Sequence, residues 1–279
     1  MMNVLEFSLI VCGVSAAGGF LGALTGLGGA VIVTPALTLL LGVNLHYAMG
    51  AALVSVIATS SGAAAAYVKE GFSNIRLGMF LEIATTVGAV VGAHLTSVIP
   101  APALAIVFAL VLLYSAWHSI RAIPEASETK PDPLALRFRL GSTYPGPLGA
   151  IHYQVGRVKA GFSLMFSAGL LSGLLGIGSG AMKVIAMDQI MRVPFKVSTT
   201  TSNFMIGVTA AASAGIYLHR GYIDPRLAMP VMLGVLAGSL LGARQLIGAG
   251  TRALRLVFAV VVAAMAVEMI YSASTGGFQ

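Results

Sequence analysis

The sequence predicts an all-α polytopic membrane protein. It is expected to be two inverted repeats of about five helical segments each, with a broken-helix hairpin in each repeat. Three observations predict this. Of the 279 residues, 57% are hydrophobic and 9% are charged, whereas a soluble domain carries about 25% charged residues. The mean hydropathy of +0.93 leaves too few polar residues to cover a soluble core. The apolar residues fall into ten segments separated by short polar loops, and the second five segments repeat the first five.

The apolar segments lie at about 4–23, 30–41, 47–68, 77–98 and 101–120, then at about 160–175, 180–191, 197–218, 227–247 and 253–271. Several approach the ~20 residues a membrane-spanning helix needs and none alternates strictly, so helices are expected rather than strands. Between the two sets runs a polar stretch holding Pro124, Pro131, Pro133, Pro145 and Pro147. The chain thus divides into a first transmembrane repeat (1–121), a linker (122–158) and a second repeat (159–279). The first segment starts at Val4 with no basic residue before it. A secretory leader carries a positive n-region, so this segment is expected to be retained. Cys12 is the one cysteine, which leaves no disulfide framework and no thiolate metal site. No cofactor is expected.

The repeat is read by adding 150 to the numbering. Gly26 and Gly28 then fall on Gly176 and Gly178, Thr59 and Tyr67 on Thr209 and Tyr217, and Gly71 and Arg76 on Gly221 and Arg226. Gly88, Gly92 and Ala93 fall on Gly238, Gly242 and Ala243. Apolar composition aligns leucines and alanines by chance, but not a tyrosine, an arginine and five glycines in one register. Loop charge sets the relative orientation. If the second repeat runs upside down, the linker is cytoplasmic, both termini lie outside, and Arg220 and Arg226 are the only loop cations outside. A parallel arrangement puts Arg244, Arg252 and Arg255 outside as well. The positive-inside rule favours inversion, an architecture in which secondary transporters hold substrate near the bilayer midplane between the repeats. The net charge of +7 therefore reads as membrane orientation and not as nucleic-acid binding. The bilayer is the partner that the composition demands, and a homo-oligomer is left open.

Each repeat has a glycine-rich turn, Gly26–Gly29 and Gly176–Gly180, followed by a short apolar segment. About 12 residues of helix rise roughly 18 Å, against a hydrocarbon core of about 30 Å. The turns are thus expected to be breaks between partial helices below the membrane surface, where bare backbone survives only if protein buries it or water reaches it. The helix that follows a break offers free N–H groups and a dipole that favour an anion. Lys183 sits one turn into the second such helix, and Val33 holds the equivalent place in the first. The plainer readings are close helix packing for the glycines, and snorkelling or pairing with Asp188 for Lys183. A nucleotide-binding loop does not fit, since the GK[ST] ending is missing.

The stretch "VSTTTSN" (Val197–Asn203) opens the next helix. Ser198 or Thr199 is read equally well as an N-cap. Thr200, Thr201, Ser202 and Asn203 extend into the apolar segment, where their counterparts Gly50, Ala51, Ala52 and Leu53 are nonpolar. Glu82 is read as an ion-pair partner of Arg76 or Lys69, with a coupling carboxylate as the alternative. Glu268 is placed at an interface, His46 and His94 in external loops, and Tyr114 and Trp117 in an aromatic belt. Neither a carboxylate dyad, a Ser–His pair nor a metal cluster is found, so the chain does not read as an enzyme.

The glycine turns "GLGGAVIVTP" (Gly26–Pro35) and "GIGSGAMKVI" (Gly176–Ile185) carry a resemblance, together with "YVKEGFSNIRL" and "YLHRGYIDPRL" followed by "GAVVGA" and "GSLLGA". In these the sequence resembles the TauE/SafE family of membrane transporters over nearly the whole chain outside the linker. Two positions depart from the family pattern: Ile185 stands where proline is usual, and Ala30 where a third glycine is common. The resemblance implies a multi-pass protein of the bacterial inner membrane that exports a small sulfur-containing anion, sulfite or an organosulfonate. The expected site has backbone N–H groups of Gly28, Gly29, Ser179 and Gly180 on the anion's oxygens. Lys183 compensates its charge, and Thr201, Ser202 and Asn203 add donors. Rocking of one repeat against the other would give alternating access. An importer or a channel for a small inorganic anion is the competing reading.

Overall fold

A computed structural model describes residues 3–25, 29–69, 71–120, 132–146, 149–246 and 251–275. The first half contributes α1 (Val4–Thr25), α2 (Ala30–Leu41), α3 (Leu45–Lys69), α4 (Ile75–Leu95) and α5 (Ala101–Ile120). The second half contributes α7 (Val158–Leu175), α8 (Gly180–Ile185) continued by a π-helical turn (Ala186–Ile190), α9 (Phe195–His219), α10 (Pro225–Leu246) and α11 (Thr251–Ser274). A short helix, α6 (Pro133–Arg137), and strands β1 (Ser142–Gly146) and β2 (Gly149–Tyr153) lie between. The chain is an all-α polytopic membrane protein. Within α1, α4, α7 and α10, the stretches Leu5–Gly22, Ile75–Leu95, Val158–Leu175 and Pro225–Gly242 are long and apolar enough to cross a bilayer.

The two halves correspond element by element. Ala30, Leu45, Ile75 and Ala101 open α2, α3, α4 and α5; Gly180, Phe195, Pro225 and Thr251, each 150 residues on, open α8, α9, α10 and α11. The packing follows the same correspondence: α1 lies on α10 as α7 lies on α4, α3 lies on its counterpart α9, and α5 on α11. Helix directions can be read from close contacts. Ser60 of α3 meets Asn203 and Gly207 of α9, whereas Gly50, earlier in α3, meets Tyr222 just beyond the end of α9. The counterparts α3 and α9 therefore run antiparallel.

The α1–α10 and α4–α7 pairs run parallel, and glycine makes them possible. Gly234 rests on the Cys12 carbonyl and Gly238, one turn later, on the Ala16 carbonyl. Gly88 and Gly92 rest on the carbonyls of Phe166 and Leu170, while Gly169 and Gly173 rest on those of Thr85 and Ala89. A Cβ at any of these positions would collide with backbone. In lipid, where no hydrophobic effect drives helices together, such backbone approach is what holds them. Gly173→Ala must push α7 off α4 and is expected to cost about 1–3 kcal/mol, read as a lower unfolding temperature in detergent. An unchanged melt would show that the seam yields.

The outward faces suit lipid. On α4, Met79, Ile83 and Val87 are each more than half exposed while Leu77 and Leu81 are sealed inside. That is the reverse of a soluble helix, whose exposed face is polar.

The described part of the 122–158 stretch is more than a tether. Asp132 caps α6 by accepting from the Leu134 N–H at 2.9 Å, and its second oxygen accepts from the Val158 N–H that opens α7 at 3.0 Å. β1 and β2 form an antiparallel hairpin pairing Ser142 with Tyr153. Such a hairpin is marginal alone, and here it is docked. The Asn74 side chain, which also caps α4, donates to the Leu140 carbonyl at 2.8 Å and the Tyr153 hydroxyl at 2.7 Å. Burial pushes the Tyr153 hydroxyl up to about 12, so at neutral pH it stays protonated. Ala135, Leu140, Tyr153 and Val155 share one apolar cluster with Leu77, Leu81, Met165 and Met205 of α4, α7 and α9.

Candidate functional site

The second glycine turn interrupts two helices as the sequence predicts. Of the first turn, residues 26–28, Gly28 among them, lie outside the described residues, between α1 ending at Thr25 and α2 opening at Ala30. Gly29 opens α2, its carbonyl accepting from the Ile32 and Val33 N–H groups. Its backbone is seated on Gly19 of α1 and Val235 of α10. The second turn is set by left-handed backbone. Gly176 (φ 68) closes α7, Gly178 follows at φ 73, and Ser179 at φ 47 opens α8. Glycine takes these angles without penalty, and a side chain there is strained. Residues flanking both turns, Ala30–Ile32 on one side and Leu174, Leu175 and Ile177 on the other, belong to one buried cluster.

Lys183 is completely buried, which rules out snorkelling, and it does not pair with Asp188. Its ammonium donates to the Thr209 hydroxyl of α9 and faces Glu82 Oε2 of α4 at 3.7 Å. The Thr209 hydroxyl in turn donates to Glu82 Oε1 at 2.5 Å, and Thr86 donates to the same oxygen at 3.2 Å. Glu82 is 5% exposed. The ion pair therefore bridges the halves of the chain in the interior. It corrects the expected pairing of Glu82 with Arg76, whose guanidinium donates to the Arg139 carbonyl; the Lys69 side chain lies outside the described ones. Charged side chains inside a membrane protein are costly, pair with one another, and mark substrate or ion pathways.

Ser202 Oγ donates to the Gly180 carbonyl at 3.2 Å, so α9 is tied to the start of α8 beside Lys183. Ser179 Oγ is buried and has no hydrogen-bond partner. Ser179, Gly180, Lys183 and Ser202 thus form one neighbourhood with Glu82 and Thr209. The Thr201 hydroxyl is turned elsewhere, and of Asn203 it is the backbone that is engaged. Thr201 Oγ1 accepts from the Asn74 N–H at 3.0 Å, and the Asn203 carbonyl accepts from Ser60 Oγ. Neither Ser198 nor Thr199 is the N-cap, because the helix starts earlier: Pro194 holds that position and Ser198 Oγ donates to the Val193 carbonyl.

Glu82 and Thr209 are the residues of this neighbourhood that the sequence reading did not join to Lys183. The repeat itself carried a signal. At the equivalent positions of the other half stand Met232 for Glu82, Val33 for Lys183 and Thr59 for Thr209. Both charges are departures from the repeat, and they depart together.

A model of the family described as "Sulfite exporter TauE/SafE" matches residues 11–269. The chain is similar to two proteins of Bacillus subtilis (strain 168). It is 24% identical to "Probable membrane transporter protein YunE" over 94% of this chain and 96% of that one. It is 30% identical to "Probable membrane transporter protein YdhB" over 81% of this chain and 83% of that one. A "Probable membrane transporter protein" of Xylella fastidiosa (strain 9a5c) is 24% identical over 91% of each chain. No solved structure matches.

Proposed function

This chain belongs to the sulfite exporter TauE/SafE family, and from that premise we propose that it is a secondary transporter carrying a small sulfur-containing anion, sulfite or an organosulfonate, out of the cytoplasm. The carrying observation is Lys183: a full positive charge one turn past a left-handed glycine break, sealed in the interior and contacting both halves of the chain. Anion binding would use its ammonium together with the hydroxyls of Ser179 and Ser202 and the N–H groups that open α8, which lack partners within their own helix. The antiparallel run of α3 and α9 and the common offset of 150 support the inverted-repeat reading.

Complete enclosure of Lys183 supports a carrier over an open channel, because an anion reaches it only when the surrounding helices part. The test is uptake of labelled sulfite and methanesulfonate into inside-out vesicles. Saturable uptake, trans-stimulated by unlabelled anion in the lumen, is the expected result. Flux that rises linearly with concentration would make the protein a channel, and accumulation only in right-side-out vesicles would make it an importer.

A further inference from the structure

We infer that Glu82 carries a coupling proton: its protonation releases Lys183 to the anion, so that one proton travels with each anion. This rests on the proposed function and names its coupling ion.

The argument begins with charge. With Lys183 ionised and Glu82 ionised, the enclosed site is neutral before any substrate arrives. A bound monoanion would leave one uncompensated negative charge in a site sealed from water. Such a charge is strongly unfavourable even after relaxation. A proton on Glu82 removes that cost. The loaded site then holds one ammonium, one anion and a neutral carboxyl.

The geometry supplies the place for the proton. Glu82 Oε1 accepts from both Thr209 and Thr86. Oε2 is buried, has no hydrogen-bond partner, and meets Lys183 only through the 3.7 Å ion pair. That separation is longer than the 2.7–2.9 Å of a charge-assisted hydrogen bond, so the pair is loosely closed. Thr209 can follow the exchange, because its hydroxyl also lies 3.0 Å from the Met205 carbonyl and can turn its hydrogen there. Ser179 Oγ stands buried and unpartnered at the helix start whose carbonyl accepts the Lys183 N–H. It is a donor with nothing yet to donate to.

The other ionisable groups of the elements around α4 are committed or peripheral. On α4 itself, Arg76 and His94 are exposed near the two ends. On α7, Lys159 is exposed at the start; on α9, Lys196 and His219 are exposed at the ends. Tyr217 of α9 is engaged with Thr96 and with the carbonyls of Gly173 and Leu174. Asp188 lies on the π-helical turn and makes no ion pair with Lys183. Among the described residues, Lys183 alone forms an ion pair with Glu82.

Linkage makes the coupling reciprocal: the anion promotes protonation of Glu82 as much as the proton promotes anion binding. The test uses the purified full chain in proteoliposomes with a trapped pH-sensitive dye, and thiosulfate and methanesulfonate as probes, both fully ionised and unable to carry protons themselves. The expected result is that an inward anion gradient acidifies the lumen. In Glu82→Gln the acidification is lost, and whatever anion flux remains no longer responds to pH. Should that variant fail to fold, Glu82→Asp is expected to keep proton movement with a displaced pH profile. Anion flux in the wild type without proton movement overturns the inference and leaves the proposed function standing. Proton movement unchanged in Glu82→Gln also overturns it. If neither anion moves in the wild type, the proposed function falls and the inference with it.

Discussion

Lys183→Met is expected to reduce anion flux to that of empty vesicles, measured on the folded, monodisperse fraction, since stranding the Glu82 carboxylate also lowers the protein's stability. Methionine fills the same buried volume without the charge, so the effect isolates the ammonium from packing. A hydrogen bond to a charged group contributes about 1.5–3 kcal/mol, which is roughly a ten- to hundred-fold loss of affinity. The Coulombic loss in an enclosed site comes on top of that. Ser179, Ser202 and the α8 backbone remain in the variant, but they offer only neutral donors. The measurement is vesicle uptake of labelled sulfite or methanesulfonate, with gel filtration as the control for folding. Wild-type flux in a well-folded Lys183→Met protein removes Lys183 from the site and leaves the glycine break as a packing feature.

The second large effect is on stability. Glu82→Leu takes the carboxylate from a fully buried ammonium, and breaking a buried ion pair by removing one partner costs about 3–5 kcal/mol. Replacing both partners with apolar side chains of similar size is often neutral. The double variant Glu82→Leu/Lys183→Met is therefore expected to recover most of the lost melting temperature while transporting nothing. Thermal unfolding of the two single variants and the double variant in detergent forms a double-mutant cycle. Additive losses would mean that the two charges do not sense each other and that the pair is no functional element.

The sequence made the helices legible because each is an apolar run bounded by polar loops, and membrane helices announce themselves that way. Boundaries were less sharp. α3 and α9 begin at Leu45 and Phe195, two residues before the apolar runs, since a helix can start on residues that no hydropathy window favours. The second glycine turn was legible as a break because the repeat showed its glycines twice. The Glu82–Lys183 pair was not, since nothing local joins residues that lie on helices of different halves. The "VSTTTSN" stretch illustrates a further limit. Its hydroxyls looked like ligand donors, yet Thr200 donates to the Phe72 carbonyl and Thr201 accepts from the Asn74 amide. Short polar side chains serve α9's attachment to the α3–α4 loop as readily as they would serve a solute. The hairpin of the 122–158 stretch was hidden for a related reason. Pro145 in β1 argues against a strand, and the hairpin is held by its docking, with Tyr153 on Asn74 and in the apolar cluster of α4, α7 and α9.

The glycine seams constrain how such a protein can move. α1 touches α10, and α4 touches α7, backbone to backbone, so neither pair can slide past its mate without driving a side chain into a carbonyl. Each pair is a welded beam drawn from both halves of the chain. A motion in which one half tilts as a block against the other would have to tear both welds. The Lys183–Thr209–Glu82 bridge, by contrast, joins α8 and α9 to α4 through side chains. Any rigid unit that moved would then be drawn from both halves, and the stability lost in Gly173→Ala measures how firmly one such pair is joined.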